Sequence, residues 1–120
     1  MNNYVKDGHT RTWVNGTGSA VVAGQVVVVG QQLAIACTDI ASGATGEVAL
    51  DGMFVVPKVT TAVIANGEMV LWDVSAGKFD AKSATPATGD VSNAAIAAEA
   101  AGNGATTIRI QLANRLGSVT

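Results

Sequence analysis

The chain is expected to be all-β: a small barrel or sandwich of short antiparallel strands, with a short helix as the alternative to a strand near residues 91–101. Three observations on the 120-residue sequence predict this. Turn-forming Gly and Asn recur at short intervals, and the runs between them are rich in Val, Ile, Thr and Leu. One run, Thr106-Thr107-Ile108-Arg109-Ile110-Gln111-Leu112, alternates strictly, with Ile108, Ile110 and Leu112 facing one way.

Composition supports the same class. Hydrophobic residues make up 48% of the chain, but aromatic residues only 4% and charged residues 13%. The apolar content is mostly Val, Ala and Ile, and side chains branched at Cβ pack well on a pleated surface. A domain of this length buries roughly two-thirds of the surface its unfolded chain exposes, enough for a core without disulfide or metal. Residues 1–13 read as an N-terminal arm and 14–120 as one β-rich domain.

In chain order, a strand at 10–14 leads into the Asn15-Gly16 turn, and strands follow at 19–23, 25–29 and 32–38. Segments 46–50 and 53–57 flank Asp51-Gly52 and read as the best local hairpin. Segments 59–65 and 68–73 flank Asn66-Gly67 and read as a second. A short strand at 78–82 should turn Phe79 inward, and residues 83–90, with Pro86, form a loop. The Ala-rich stretch 91–101 has helical propensity, with Asp90 or Ser92 as N-cap and Gly102 to close it. Ile96 is its only large apolar residue after Val91, too little to anchor a helix, so a strand around 94–100 is expected. The run Val26-Val27-Val28-Val29 does not alternate, which implies that both of its faces are covered. In so small a domain a neighbouring subunit is one candidate cover, and as an open edge the run would invite aggregation.

Charge and motifs narrow the function. The net charge is −2, and the seven basic residues are scattered, so neither a nucleic-acid partner nor a membrane partner is expected. The longest apolar stretch, 20–33, is broken by Gly24, Gln25, Gly30, Gln31 and Gln32, too short and interrupted for a membrane helix. The N-terminus lacks the apolar core of a signal peptide. Gly77-Lys78 is followed by Phe79, and Trp72 stands where a phosphate-binding loop needs its first Gly. His9 and Cys37 are the only residues of their kinds, so no metal cluster or Ser–His scheme is expected, and no cofactor. Cys37, in an apolar run, reads as a buried small hydrophobe. No catalytic residue is assigned. The candidate contact residues are Tyr4, Val5 and Trp13, aromatic and apolar groups of the arm, with Val26, Val28 and Trp72.

The residues also carry a resemblance. Asn3-Tyr4-Val5-Lys6-Asp7-Gly8 resembles the opening of a family of capsid decoration, or cement, proteins of tailed bacteriophages. Ala23-Gly24-Gln25-Val26-Val27-Val28-Val29-Gly30 and the stretch from Ile35 to Gly43 are similar to its next two elements. Further likenesses follow in order at Glu47 to Lys58, at Glu68-Met69-Val70-Leu71-Trp72-Asp73, and at Ile108-Arg109-Ile110-Gln111-Leu112. The Ala-rich stretch 93–101 and Arg11-Thr12-Trp13 depart from the pattern. The resemblance implies a β-rich homotrimer on the outer capsid surface, partnered by the major capsid protein, made in the host cytoplasm and working mechanically in the virion. The alternatives are another phage structural module, such as a tail or fibre component, and a carbohydrate-directed enzyme accessory. Members have also been labelled RecA/RadA-type recombinases, but such a motor needs the nucleotide-binding loop that is missing here.

Overall fold

The computed structural model describes residues 9–120, and among them ten strands, and no helix, form two antiparallel sheets. The first sheet has the order β1-β4-β3-β2, from β1 (Thr10–Val14), β4 (Thr45–Ala49), β3 (Gln32–Ala36) and β2 (Val26–Val29). The second has the order β5-β9-β8-β6-β7, from β5 (Asp51–Pro57), β9 (Thr107–Ala113), β8 (Val91–Ala97), β6 (Met69–Asp73) and β7 (Lys78–Asp80). A short β10 (Ser118–Val119) is also paired to β8.

The second sheet curls until the chain just after β5 reaches β7. There Lys58 and Phe79 form one parallel bridge, and the Val59 N–H donates to the Phe79 carbonyl at 2.8 Å. One bridge does not close a barrel, so the architecture is the sandwich of the two expected forms.

Burial follows the alternation where it exists. Along β9, Ile108, Ile110 and Leu112 are buried and the residues between them are exposed. They meet Val70, Phe79, Leu33 and Ile35 in the main core between the sheets. Phe79 is fully buried, as its short strand requires. A second cluster, with Val21, Ala34, Ala36, Ile40 and Val48, covers the other face of the first sheet. The valine run of β2 lies between the two: Val26 and Val28 pack on the main core, Val27 and Val29 on the second cluster. Both faces are thus covered within one chain, and the non-alternating pattern needs no neighbouring subunit to explain it.

Several expected elements are corrected. Segment 91–101 is neither a helix nor a strand at 94–100: its strand is β8, three residues earlier. Asn93, at φ 64°, lies where the β6–β8 register shifts, and this irregularity leaves Ala94 and Ala95 both buried. Asp51-Gly52 does not close a hairpin. The Leu50 N–H donates to His9 O at 2.8 Å beside the first sheet, and its carbonyl accepts from Asn114 N at 3.0 Å beside the second. Gly52, at φ 115°, bends the chain where it passes from one sheet into the other. Asn66-Gly67 is a turn without a hairpin, since residues 59–65 pair only through an Ile64–Ala101 bridge and not with β6. Segment 19–23 reduces to one bridge, Val21 to Ile40. Cys37 is exposed rather than buried, one residue past the end of β3.

Two polar devices fix the loops. The fully buried Asn15 amide donates to Ser19 O at 2.8 Å and Ile40 O at 3.0 Å, and its oxygen accepts from the Thr17 N–H and hydroxyl. Asp90, 3% exposed, accepts from Val74 N and Ala87 N and so holds the loop before β8.

The C-terminal segment straps the sheets together. The Gly117 N–H donates to Gln31 O at 2.7 Å in the β2–β3 turn, while β10 pairs with β8. A Cβ at Gly117 would lie 2.6 Å from the Ser92 carbonyl oxygen and 2.8 Å from the Ala94 Cβ. We expect Gly117→Ala to lift the strap, costing about 1–3 kcal/mol. Hydrogen exchange would show faster exchange at Thr120, whose N–H donates to the Asp90 carbonyl at 2.9 Å, with Ile108 and Ile110 still protected.

Candidate docking surface

The outer face of the second sheet carries an apolar row. Register places Met53, Gln111, Ile96 and Met69 side by side across β5, β9, β8 and β6. Met53 is 61% exposed and Val55 60%, while Ile96 and Met69 are half-buried. Arg109 stands beside Val55, and Arg115 lines the hollow over Met69 and Ile96. The sequence reading missed Met53 and Val55. The signal was present, since 53–57 is apolar at every position and a curled edge strand can bury only one of its faces.

A second apolar feature runs along the free edge of β2. Two shallow hollows of 300 and 280 Å³ share Gln25, Val26, Trp72 and Gly77. One extends to Val22 and Pro57, the other to Thr17, Val28 and Val74. Trp72 forms part of their wall. It is only 6% exposed, and its ring is tilted 60° against Phe79 at a centroid distance of 4.9 Å.

The sequence-derived candidates therefore divide. Val26, Val28 and Trp72 converge on this groove. Trp13 lies on β1, at the opposite edge of the first sheet, half-buried against the second cluster. Tyr4 and Val5 fall outside the described residues. Thr10–Trp13, read as the end of the arm, are paired with β4.

Chemistry has little to work with at these places. Among the described residues, no carboxylate side chain lines these three hollows. Among the described residues no group of three or more His, Cys, Asp or Glu is placed to hold a metal ion. Beside the groove, Asp73 accepts from the Ser75 hydroxyl at 2.8 Å and from the Ser75 and Ala76 N–H groups. These bonds, the Ser75 hydroxyl foremost, hold its carboxyl below the ordinary 3.8. A depressed carboxylate contributes stability above its unfolded pKa and loses it as pH falls through the folded one. Asp73→Asn is therefore expected to lower the melting temperature slightly at neutral pH. The gap should shrink on going from about pH 5 to about pH 2, as thermal melts would show.

Fold and surface together define a small β-sandwich module whose outward features are an apolar row and a shallow groove. The chain belongs to the phage cement protein family, whose model matches residues 5–112. The match takes in β1 to β8 and all but the last residue of β9, and the C-terminal strap lies beyond it. Comparison with curated proteins finds no match.

Proposed function

We propose that this protein binds the outer surface of a phage capsid as a homotrimer and stabilises the shell by contact alone, without catalysis. The observation that carries the reading is membership of the cement family over residues 5–112. The exposed Met53 and Val55, with Ile96 and Met69 beside them, supply apolar area of the kind such a role uses. Burial of apolar surface stabilises by about 25 cal/mol per Å² before the costs of association. Repetition over a symmetric shell multiplies modest contacts into avidity. The major capsid protein is the partner, and the virion surface the location.

The test is reconstitution. Purified protein is added to capsids that lack it, and the particles are sedimented, heated and imaged by electron microscopy. Density at symmetric positions on the shell and a raised rupture temperature are expected. Density confined to the tail, or no co-sedimentation, would overturn the proposal. Truncation of residues 1–8, which spares β1, is expected to weaken binding while the thermal transition of the free protein stays in place.

A further inference from the structure

We propose that copies of this protein join edge to edge through the first sheet, the free edge of β2 in one copy pairing with the free edge of β1 in the next. The inference rests on the trimer reading and names its contact.

Both edges of the first sheet are open among the described residues. Ala36 N donates to Gln25 O, which fixes the alternation of the β2–β3 ladder and leaves the N–H and C=O groups of Val26 and Val28 pointing away from β3. On the far side, the bonds Leu50 N to His9 O and Asn15 N to Ala44 O leave the same groups of Thr10, Thr12 and Val14 pointing away from β4. Natural edge strands are usually blunted by charge, proline or a bulge. β2 is four valines with none of these, and β1 carries one charge, Arg11.

The two rows fit each other. β1 and β2 run antiparallel within the sheet, so a rotation axis along the strands brings β2 of one copy against an antiparallel β1 of the next. Register also puts Thr10, Ala49, Ile35 and Val26 in one row, so Thr12 and Val14 share a face with Val26 and Val28. With the neighbour's Val14 opposite Val26 and its Thr12 opposite Val28, the 58% exposed Val14 enters the apolar hollow walled by Trp72. Trp13 then lies on the same face as Val27, beside the second cluster. No like charges meet at the junction.

A self-pairing of β2 with β2 would be isologous and stop at two copies, whereas pairing two different edges is heterologous and gives a ring where the rotation closes. One strand pair is small beside the roughly 800 Å² each partner gives a stable pairwise complex. A ring, in which every copy makes two such junctions, therefore suits this contact better than an isolated dimer.

The test compares the unaltered chain with Val14→Lys and Thr12→Pro by light scattering over a range of concentrations. It adds hydrogen exchange at Val26 and Val28. A trimer is expected for the unaltered chain, with both amides more protected as concentration rises. Each variant should raise the concentration of half-dissociation about tenfold or more. Thr12→Pro removes an outward N–H and the Thr12 hydroxyl that donates to Glu47 at 2.9 Å, and Val14→Lys alters an exposed side chain, which keeps the test valid if proline unsettles β1. Trimeric variants with unchanged exchange would overturn the edge pairing and leave the trimer standing. A dimeric unaltered chain would assign β2 to self-pairing. A monomer at every concentration would remove the trimer itself, and edge amides protected only on capsids would make the shell the occupant. Each of these outcomes sinks the proposal.

Discussion

Lys58→Ala is expected to cost about 3–5 kcal/mol of folding stability, read as a fall in the urea midpoint with the slope of the transition preserved. Lys58 follows β5 directly and is fully buried. Its Nζ donates to Val59 O at 2.6 Å and Ala62 O at 2.5 Å. Two losses add in the variant. The stem leaves a cavity at the seam where the second sheet curls back on itself through the Lys58–Phe79 bridge. The Ala62 carbonyl also loses its donor, whereas the Val59 carbonyl still accepts from Ala62 N at 3.0 Å. Lys58→Met separates the two. It keeps most of the volume and removes the burial of an ammonium that forms no ion pair among the described residues. It should therefore lose clearly less than Lys58→Ala. Equal losses would show that the hydrogen bonds outweigh the cavity, and a loss below about 1 kcal/mol in Lys58→Ala would show that the seam is not closed in solution.

How far this fold is legible in the sequence depends on whether a segment's neighbours are local. β9 and β7 are legible because each buries one face, so polarity reports orientation directly. The two misread hairpins share a cause. Asn-Gly and Asp-Gly report that the chain can take positive φ, not where it goes next. Gly52 uses that freedom to leave one sheet for the other, and Gly67 to enter β6 from a segment that belongs to no strand. Segment 91–101 is obscured because small residues there serve close packing: Gly117 crosses against Ala94, so the alanines that suggest a helix are the ones a covered strand needs. Cys37 misled because the apolar run before it ends in a strand whose last residue is Ala36. At the candidate surface, the valine run pointed to β2 for a reason the structure removes, the supposed need for outside cover. The stronger reason, its position at a sheet edge, depends on strand order, which no local pattern encodes.

The same separation of core from contact decides what Trp72→Ala will do. Its expected cost is about 3–5 kcal/mol of stability, seen as a lower urea midpoint and loss of near-ultraviolet dichroism. Trp72 sits in β6 with Phe79 across one ladder and Val91 across the other, and only its 6% exposed margin reaches the groove. Its enrichment at interfaces in general made it a candidate contact residue, yet nearly all its area is already buried in one chain. A loss of assembly in the alanine variant would therefore report unfolding as much as lost contact. Trp72→Phe keeps a ring to pack against Phe79 and should retain more than half of that stability. If the phenylalanine variant is stable yet fails to assemble, the exposed margin of the indole is itself part of the junction. If Trp72→Ala melts within about 1 kcal/mol of the unaltered chain, the Trp72–Phe79 contact does not hold the second sheet together, and the residue belongs to the surface after all.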